Sequence, residues 1–452
     1  MTNLNLTSRA AAAATRVIAR LKQQGYQAVL VGGCVRDLLL GREPDDFDVA
    51  TSATPDQVIP LFHKSILVGA SFGVVIVVQD GIHTEVATFR EETGYSDRRR
   101  PDSVRYSDAE HDALRRDFTV NGLYLEPLTN EVIDYVGGQQ DLQARLLRCI
   151  GQPKDRFNED ALRLIRAVRF ASSLDFEIES GTWTAIQANA HLVKHVSAER
   201  VRDELMKGLT RANPARFLEL LDTSGLLGII LPEVEAMKGM AQPPQFHPEG
   251  DVFEHTKLVL ANLPPQPSAA LAMAALLHDV GKPPTATLTD RIRFNNHHKV
   301  GAEMADSICR RLACSNELRE QVMAMIERHM RFVDFPDMRT STMRRFLSSS
   351  FIQEELELHK ADCLGCFNDL DTYELATAKL AELREDEATR GALPQPYING
   401  VDLTALGLIP GPQYKLILQR MFDEQLENRF ASRDEALVYL RENLDSLRKD
   451  KP

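Results

Sequence analysis

Two aspartates one residue apart are the first candidates for chemistry. Asp46 and Asp48 lie in Asp45-Asp-Phe-Asp-Val-Ala-Thr51. In a strand, residues i and i+2 project to the same face, so the two carboxylates would stand side by side with Phe47 and Val49 turned to a core. Paired carboxylates repel unless a cation sits between them, and Mg2+ favours such oxygen ligands together with substrate phosphates. Upstream, Val31-Gly-Gly-Cys-Val-Arg-Asp37 follows a strand-like run and leads into a helix. Gly33 there lets backbone N–H groups approach a phosphate, the helix N-terminus favours anions, and Arg36 adds a cation. Glu85, in Thr84-Glu-Val-Ala-Thr-Phe-Arg90, is a candidate third carboxylate. Arg115-Arg-Asp-Phe-Thr-Val-Asn-Gly122 sets Arg116, Asp117 and Asn121 in an otherwise apolar stretch, and arginine suits phosphate or base-edge recognition. These features together describe two metals organising a nucleoside triphosphate for in-line attack.

The elements that would hold these residues can be read from the pattern. Strand-like runs occur at 28–31, 47–50, 74–78, 84–87 and 132–136, mixed with turn and helix signals. That mixture predicts a mixed α/β head with a small β-sheet flanked by helices. From about residue 150 the strand signals stop. Apolar residues recur at three- and four-residue intervals over 160–174, 200–209 and 214–227, as in amphipathic helices. Pro- and Gly-rich punctuation at 242–250 and 394–400 then divides the chain into a head over 1–145, an all-α neck over 146–238, a second helical block over 239–390 and a helical tail over 391–452. The first 25 residues, acid-free and alanine-rich, imitate a transit peptide. Val17, Ile18 and Leu21 on one face, with Gly25 as a stop, read better as a working first helix.

Composition narrows the function classes. Of 452 residues, 26% are charged and 43% apolar, ordinary for a globular protein, and no apolar run reaches membrane-spanning length. Six cysteines are too few for a disulfide scaffold of this size, so the expectation is reduced thiols in a cytoplasmic protein. Cys363-Leu-Gly-Cys366 has metal-ligand spacing, but no second such pair follows, which reads against zinc there. The net charge of −12 argues against nucleic acid only until it is mapped. Residues 145–216 carry 13 basic and 9 acidic side chains, so positive charge gathers in the neck. A protein that reads a compact RNA by shape can be acidic overall.

The Gly32-Gly33-x-x-Arg36-Asp37 turn, the Asp46/Asp48 pair and Arg115-Arg-Asp-Phe-Thr-Val-Asn121 resemble the class II tRNA nucleotidyltransferase and bacterial poly(A) polymerase superfamily. Asn158-Glu-Asp-Ala-Leu-Arg-Leu-Ile-Arg-Ala-Val-Arg-Phe170 resembles that family's neck helix, whose Glu-Asp-x-x-Arg element reads the incoming base. The resemblance implies that Asp160 and Arg163 choose the base, with Arg116, Arg166 and Arg169 in support. The residue chemistry agrees. Asp160, Arg163, Arg166 and Arg169 advance in threes, so neighbours share a helical face. An aspartate accepts from the amino group of C or A, and an arginine donates to ring and carbonyl acceptors.

The stretch Val68-Gly-Ala-Ser-Phe-Gly-Val-Val-Ile-Val77 is similar to the CCA-adding pattern and lacks the basic signature of the poly(A) enzymes. The resemblance therefore implies addition of C, C and A to tRNA from CTP and ATP with Mg2+. Addition of CC alone or A alone, and poly(A) synthesis, are the alternatives. A flexible loop around 91–106, with Arg98-Arg-Arg100, would govern the switch to A.

Val252-Phe-Glu-His255 and Ala275-Leu-Leu-His-Asp-Val-Gly-Lys282 resemble the first helices of HD-type phosphohydrolases. His255, His278, Asp279, His297, His329 and Asp362 follow in that family's order. Imidazoles and carboxylates together hold borderline divalent metals with positions left open, here Mn, Ni, Co, Fe or Mg. The implied substrates are cyclic phosphates, 2′-nucleotides or 3′-phosphates. An HD phosphohydrolase with an RNA-binding N-terminal half is the reading from another class. His298 departs from the family pattern, and His247 and His359 read as loop or helix-surface residues. The tail segment Ile398-Asn-Gly-Val-Asp-Leu403 resembles the C-terminal region of HD-containing bacterial nucleotidyltransferases and reads as a cap on the second block, with support of tRNA as the alternative. No membrane partner is expected, and the protein would be a monomer or homodimer.

Overall fold

The computed structural model describes residues 4, 6–68, 73–95, 101–211, 213–243, 248, 250–288, 292–390 and 394–448, without the side chains of 386–390. The chain forms two compact units, Met1–Glu235 with Arg311–Cys314, and Ala236–Arg310 with Ser315–Pro452.

The first unit begins with α1 (Arg9–Gln23), capped by the Ser8 hydroxyl, which accepts from the Ala11 amide at 3.1 Å. Its Val17, Ile18 and Leu21 are buried, and Gly25, at φ +87°, turns the chain into β1 (Ala28–Val31). The head sheet adds β2 (Val49–Thr51), β3 (Ser65–Val68), β4 (Val74–Gln79) and β5 (Ile82–Thr88). Next come β6 (Arg90–Thr93), β7 (Ser103–Tyr106), β8 (Leu123–Glu126) and β9 (Glu131–Asp134). Seven of these strands pair in the order β3-β4-β5-β2-β1-β8-β9. Only β2 and β5 run parallel, with Val49 beside Val86 and Ala50 beside Ala87. The other neighbours are antiparallel. Val29, Val31, Ala50, Phe89, Ala113 and Tyr124 make one core on this sheet. The short helices α2 (Gly33–Leu39) and α3 (Ala109–Leu114) leave it next to the candidate site.

Two sequence expectations need correcting in this unit. Strands do not stop at residue 150, because β10 (Leu146–Leu147) pairs in parallel with β11 (Glu177–Ile178). These two-residue strands carry no alternation to read. The segment 91–106 is not a loop throughout, since β6 and β7 form an antiparallel hairpin from Arg90/Tyr106 to Thr93/Ser103. Arg98, Arg99 and Arg100 lie outside the described residues, as do 69–72 of the stretch similar to the CCA-adding pattern.

The neck helices are α4 (Pro153–Glu159), α5 (Leu162–Leu174), α6 (Ser180–Asn189), α7 (Ala198–Leu209) and α8 (Pro214–Thr223). Helix α5 is buried almost all round, Arg163 and Arg169 included. The second unit contains α9 (Val252–Ala261), α10 (Ala269–Leu277), α11 (His297–Arg311), α12 (Asn316–Arg328) and α13 (Ile352–Gly365). Between α10 and α11 lies a further unexpected hairpin, β12 (Ala286–Leu288) and β13 (Ile292–Phe294). Phe332, Phe335, Phe346, Leu347 and Leu356 form one core of this unit, and Ile398, Leu403, Ile417, Met421 and Leu440 a second in the tail. No described helix is long and apolar enough to cross a membrane.

Candidate active site and metal centre

Sheet register assembles the carboxylates. Because β2 and β5 are parallel with Val49 beside Val86, Asp48 falls beside Glu85 one step earlier, on the opposite face from those buried valines. Asp46 and Asp48 precede β2 rather than lying in it. The pairing nevertheless continues outward, since the Val31 amide donates to the Asp48 carbonyl at 3.0 Å. Phe47 and Val49 are buried, Asp46 and Glu85 are exposed, and Asp48 is half-buried. Burial, Asp46 and Glu85 push the Asp48 carboxyl up to about 7, against the pull of Arg116. Three mutually repelling carboxylates are the donor chemistry that a hard divalent cation relieves. Among the described residues, however, the sets of three ligand atoms within 4.8 Å of one another all lie in the second unit.

Arg116 is the cation of this site. Asp112 holds its Nε at 3.2 Å and Nη2 at 3.0 Å, and also binds Arg115 and the Tyr124 hydroxyl. Its Nη1 lies against Gly32, where an added Cβ would meet it at 3.4 Å. Gly32, at φ +81° and ψ −131°, occupies a conformation that only glycine adopts readily. Arg36 lies deeper. Its guanidinium binds Asp37 through two bonds of 2.9 Å and Asn121 Oδ1 at 2.6 Å, and stacks over Phe170. Asn121 in turn donates to Asp117 at 3.1 Å. Although burial raises its pKa, Arg166 and Asn121 hold Asp117 down to about 2.

Of the four neck residues, Arg163, Arg166 and Arg169 advance in threes along α5, and Asp160 lies outside it. Asp160 sits between α4 and α5 in extended conformation, φ −146° and ψ 104°. It is the C-terminal cap of α4, and its Oδ1 accepts from the amide of Leu162, the first residue of α5, at 3.1 Å. Arg163 binds Glu159 at 2.6 Å and the Arg156 carbonyl at 2.9 Å. Arg166 spans to Asp117 at 2.7 and 2.9 Å. Arg169 binds the buried Glu204 at 2.5 Å. The sequence reading missed three partners, namely Asp112, Glu204 and Arg200. Arg200 and Glu204 are spaced i, i+4 on α7, a signal that also describes any solvated charged face.

In the second unit the six ligand-type residues converge. His255 Nε2 lies 2.9 Å from Asp362 Oδ1 and 3.3 Å from His278 Nε2. His278 Nε2 is 3.2 Å from Asp279 Oδ2, His297 Nε2 is 3.5 Å from Asp279 Oδ1, and His297 and His329 Nε2 are 3.3 Å apart. The Nδ1 atoms of His278, His297 and His329 meet the backbone carbonyls of Ala275, Phe294 and Ile326 at 2.9, 2.9 and 2.7 Å. Those bonds orient the rings and turn the Nε2 lone pairs inward. Burial and His278 depress His329 to about 3, so it stays neutral. Against the cost of burial, His278 and Lys282 hold Asp279 well below the usual carboxylate range. Lys282 Nζ approaches Asp279 Oδ2 to 2.6 Å and donates to Gln242 at 2.6 Å, yet that Oδ2 lacks a well-aligned hydrogen bond. Imidazole nitrogens turned inward on the Asp279 and Asp362 carboxylates fit a divalent transition metal. His298 is only half-buried at the margin, and His247 lies outside the described residues. His359 is not a surface residue. It is buried and stacked on Phe332, ring centroids 4.3 Å apart, because α13 packs that face inward.

Family models match three stretches of the chain. Residues 28–148 match the Poly A polymerase head domain, 175–238 the probable RNA- and SrmB-binding site of polymerase A, and 252–364 the HD domain. The CCA-adding enzyme of Geobacillus thermodenitrificans is 47% identical over 211 residues, 46% of this chain and 52% of that protein. That of Bacillus pumilus is 44% identical over the same shares. The chain thus spans about half the length of these relatives. The Bacillus stearothermophilus CCA-adding enzyme, solved in complex with CTP, superposes with a TM-score of 0.74 at 28% identity, over 97% of this chain and 99% of that one. The Thermotoga maritima CCA-adding enzyme, solved with tRNA, shares the fold with a TM-score of 0.61 at 17% identity, over 97% of each chain. With its head, RNA-binding and HD regions matched in order, the chain carries the domains of the poly(A) polymerase head and HD families and is similar throughout to CCA-adding enzymes.

Proposed function

We propose that this protein is a tRNA nucleotidyltransferase that adds C, C and A to tRNA 3′ ends from CTP and ATP. The observation that carries the reading is the register of β2 on β5, which sets Asp48 beside Glu85 with Arg116 between them and the Gly32–Gly33 turn. In this reading the head is 1–145, the neck 146–238, the HD block 239–390 and the tail 391–452. Asp46 and Asp48, with Glu85, would hold Mg2+, which supplies charge neutralisation of the triphosphate and activation of the tRNA 3′-hydroxyl. Gly32 and Gly33 let the backbone approach the phosphates, and Arg116 Nη1 draws the triphosphate to the turn. Arg36, Asp117 and Asn121 form the buried polar cluster beneath the turn and keep it in place. Asp160 and Arg163 offer an acceptor and donors to the base edge, and Glu204 locks Arg166 and Arg169 behind them. The 3′-oxygen bonds to the α-phosphorus as the α–β bridge breaks and pyrophosphate leaves.

The HD centre, by the same reading, is a phosphohydrolase of phosphorylated or cyclic-phosphate RNA ends or nucleotides. His255, His278, Asp279 and Asp362 would hold one metal, or, with His297 and His329 completing a second site, two; the metal supplies Lewis acidity and a water nucleophile near neutral pH. A tRNA lacking its CCA end, given labelled CTP and ATP and resolved at single-nucleotide length, tests the main reading. Addition of three nucleotides is expected. A long A tail identifies a poly(A) polymerase, CC or A alone a divided-labour enzyme, and no addition leaves the HD phosphohydrolase reading.

A further inference from the structure

The four histidines of the HD centre all turn Nε2 inward, but they are not held alike from behind. His278, His297 and His329 each meet, through Nδ1, the backbone carbonyl three residues earlier. His255 sits in the first turns of α9, where the carbonyl three residues earlier, that of Val252, accepts from the Thr256 hydroxyl at 2.9 Å. Cys366 Sγ stands 3.7 Å from the Nδ1 of His255.

The end of α13 fits around this ring. Asp362, Gly365 and Cys366 are three and four residues apart, so they follow one side of the helix. Asp362 Oδ1 lies 2.9 Å from Nε2, on the inner edge of the imidazole. Gly365 passes beside Cε1, where an added Cβ would stand 3.4 Å from that atom and 3.2 Å from Val259. A side chain there would push the helix end off the ring. Cys366, the C-terminal cap of α13, reaches the outer edge at Nδ1. One helix end thus holds a fully buried imidazole at both nitrogens. Cys363 takes no part, since its sulfur lies 3.7 and 3.8 Å from the two ring nitrogens of His359.

We propose that Cys366 is a positioning residue of the HD centre, whose sulfur accepts the Nδ1 proton of His255 and keeps the Nε2 lone pair free for a divalent transition metal. This rests on reading the HD residues as a metal site. A neutral imidazole carries one proton, so with Nε2 given to a metal that proton is on Nδ1 and faces the sulfur. A metal-ligating histidine almost always donates this second N–H, and the acceptor fixes both the tautomer and the direction of the ring. The sulfur itself stays off the metal.

The full chain, reduced and loaded with Co2+, provides the test. Cys366→Val keeps the bulk of the side chain and removes the acceptor, whereas Cys366→Ser keeps an acceptor. In chelator competition Cys366→Val should bind Co2+ about tenfold or more weakly than the wild type, as losing such a partner costs at other metal sites. Cys366→Ser should fall between the two, and Cys363→Ser should match the wild type. Proton NMR of the Co2+ form reads what packing alone would not move, the hyperfine-shifted, exchangeable N–H signals of bound imidazoles. One of them should shift in Cys366→Ser and vanish into solvent exchange in Cys366→Val. Wild-type affinity in Cys366→Val, Cys366→Ser as weak as Cys366→Val, or N–H signals alike in all three chains overturns the proposal. So does a thiolate-to-cobalt charge-transfer band in the wild type that Cys366→Ser removes, since it puts the sulfur on the metal. A wild-type chain that binds no Co2+ overturns the metal reading and the proposal with it. The other outcomes leave that reading standing, so the two failures are separable.

Discussion

Both carboxylate oxygens of Asp160 are held by Arg200, Oδ1 by Nη1 at 3.1 Å and Oδ2 by Nη2 at 2.7 Å. The pair ties the residue proposed to read the base to helix α7 and fixes the direction in which its carboxylate faces. Arg200→Ala removes that clamp and leaves the carboxylate on the Leu162 amide. We expect discrimination of CTP over UTP to fall roughly tenfold, within the ~1–3 kcal/mol that an unpaired polar group costs. Asp160→Ala should relax base choice more than it lowers total incorporation. Single-nucleotide incorporation with each of the four triphosphates measures both.

Asp46→Ala and Asp48→Ala should each lower nucleotide incorporation by more than about a hundredfold, since even outer-shell changes at metal sites cost 10- to 100-fold. Their far-ultraviolet circular dichroism should match the wild type, because both residues project away from the valine-lined core. Incorporation near the wild-type level in either variant would place the reaction elsewhere.

Gly32→Ala tests the turn itself. Its positive φ and the nearness of Arg116 Nη1 predict about 1–3 kcal/mol of strain. A lower thermal midpoint and loss of incorporation should appear together, whereas Gly41→Ala, with open space around its Cβ, should show only the backbone cost.

Asp117 supplies a pH dependence. Its folded pKa of about 2 lies below the ordinary aspartate value of 3.8, so its contribution is fully present above pH 4 and is lost as pH falls through 2. At about 1.4 kcal/mol per unit the contribution is about 2 kcal/mol. Urea midpoints of the wild type and Asp117→Asn should differ most above pH 4 and converge toward pH 2.

Removing His278 and Asp279 together should strip the HD centre of transition metal, seen by elemental analysis, and abolish hydrolysis of a 2′,3′-cyclic phosphate. Nucleotide incorporation should persist, because no residue of the proposed head site is altered. Full metal-dependent phosphatase activity in the double variant would count against the HD reading.

How much of this was legible in the sequence depends on the range of the interaction. Strand β1 is where its β-branched run indicates, because Ala28–Val31 are all buried and local pattern matches environment. The adjacency of Asp48 and Glu85 was not legible, since it arises from a parallel pairing between segments more than thirty residues apart. The β6–β7 hairpin hid behind Arg90-Glu-Glu-Thr93, whose charges neither alternate with apolar residues nor favour a strand. His359 was misread because its stacking partner, Phe332, comes from a different element. Cys366 shows the same limit at a site. Its spacing from Cys363 suggested a weak zinc pair, while its neighbour in space is a histidine 111 residues away.

The bonds between head and neck bear on how the first unit opens. Arg166 reaches Asp117, and Arg156 donates to the carbonyls of Leu114 and Arg116 at 2.8 and 2.9 Å. The Thr119 amide donates to the Arg148 carbonyl at 2.9 Å, next to a bridge between Phe118 and Cys149. A fragment cut at residue 145 would expose Phe118 and strand these buried polar groups. Amide protons of β8 and α5 should therefore exchange with one shared opening free energy, as a single foldon.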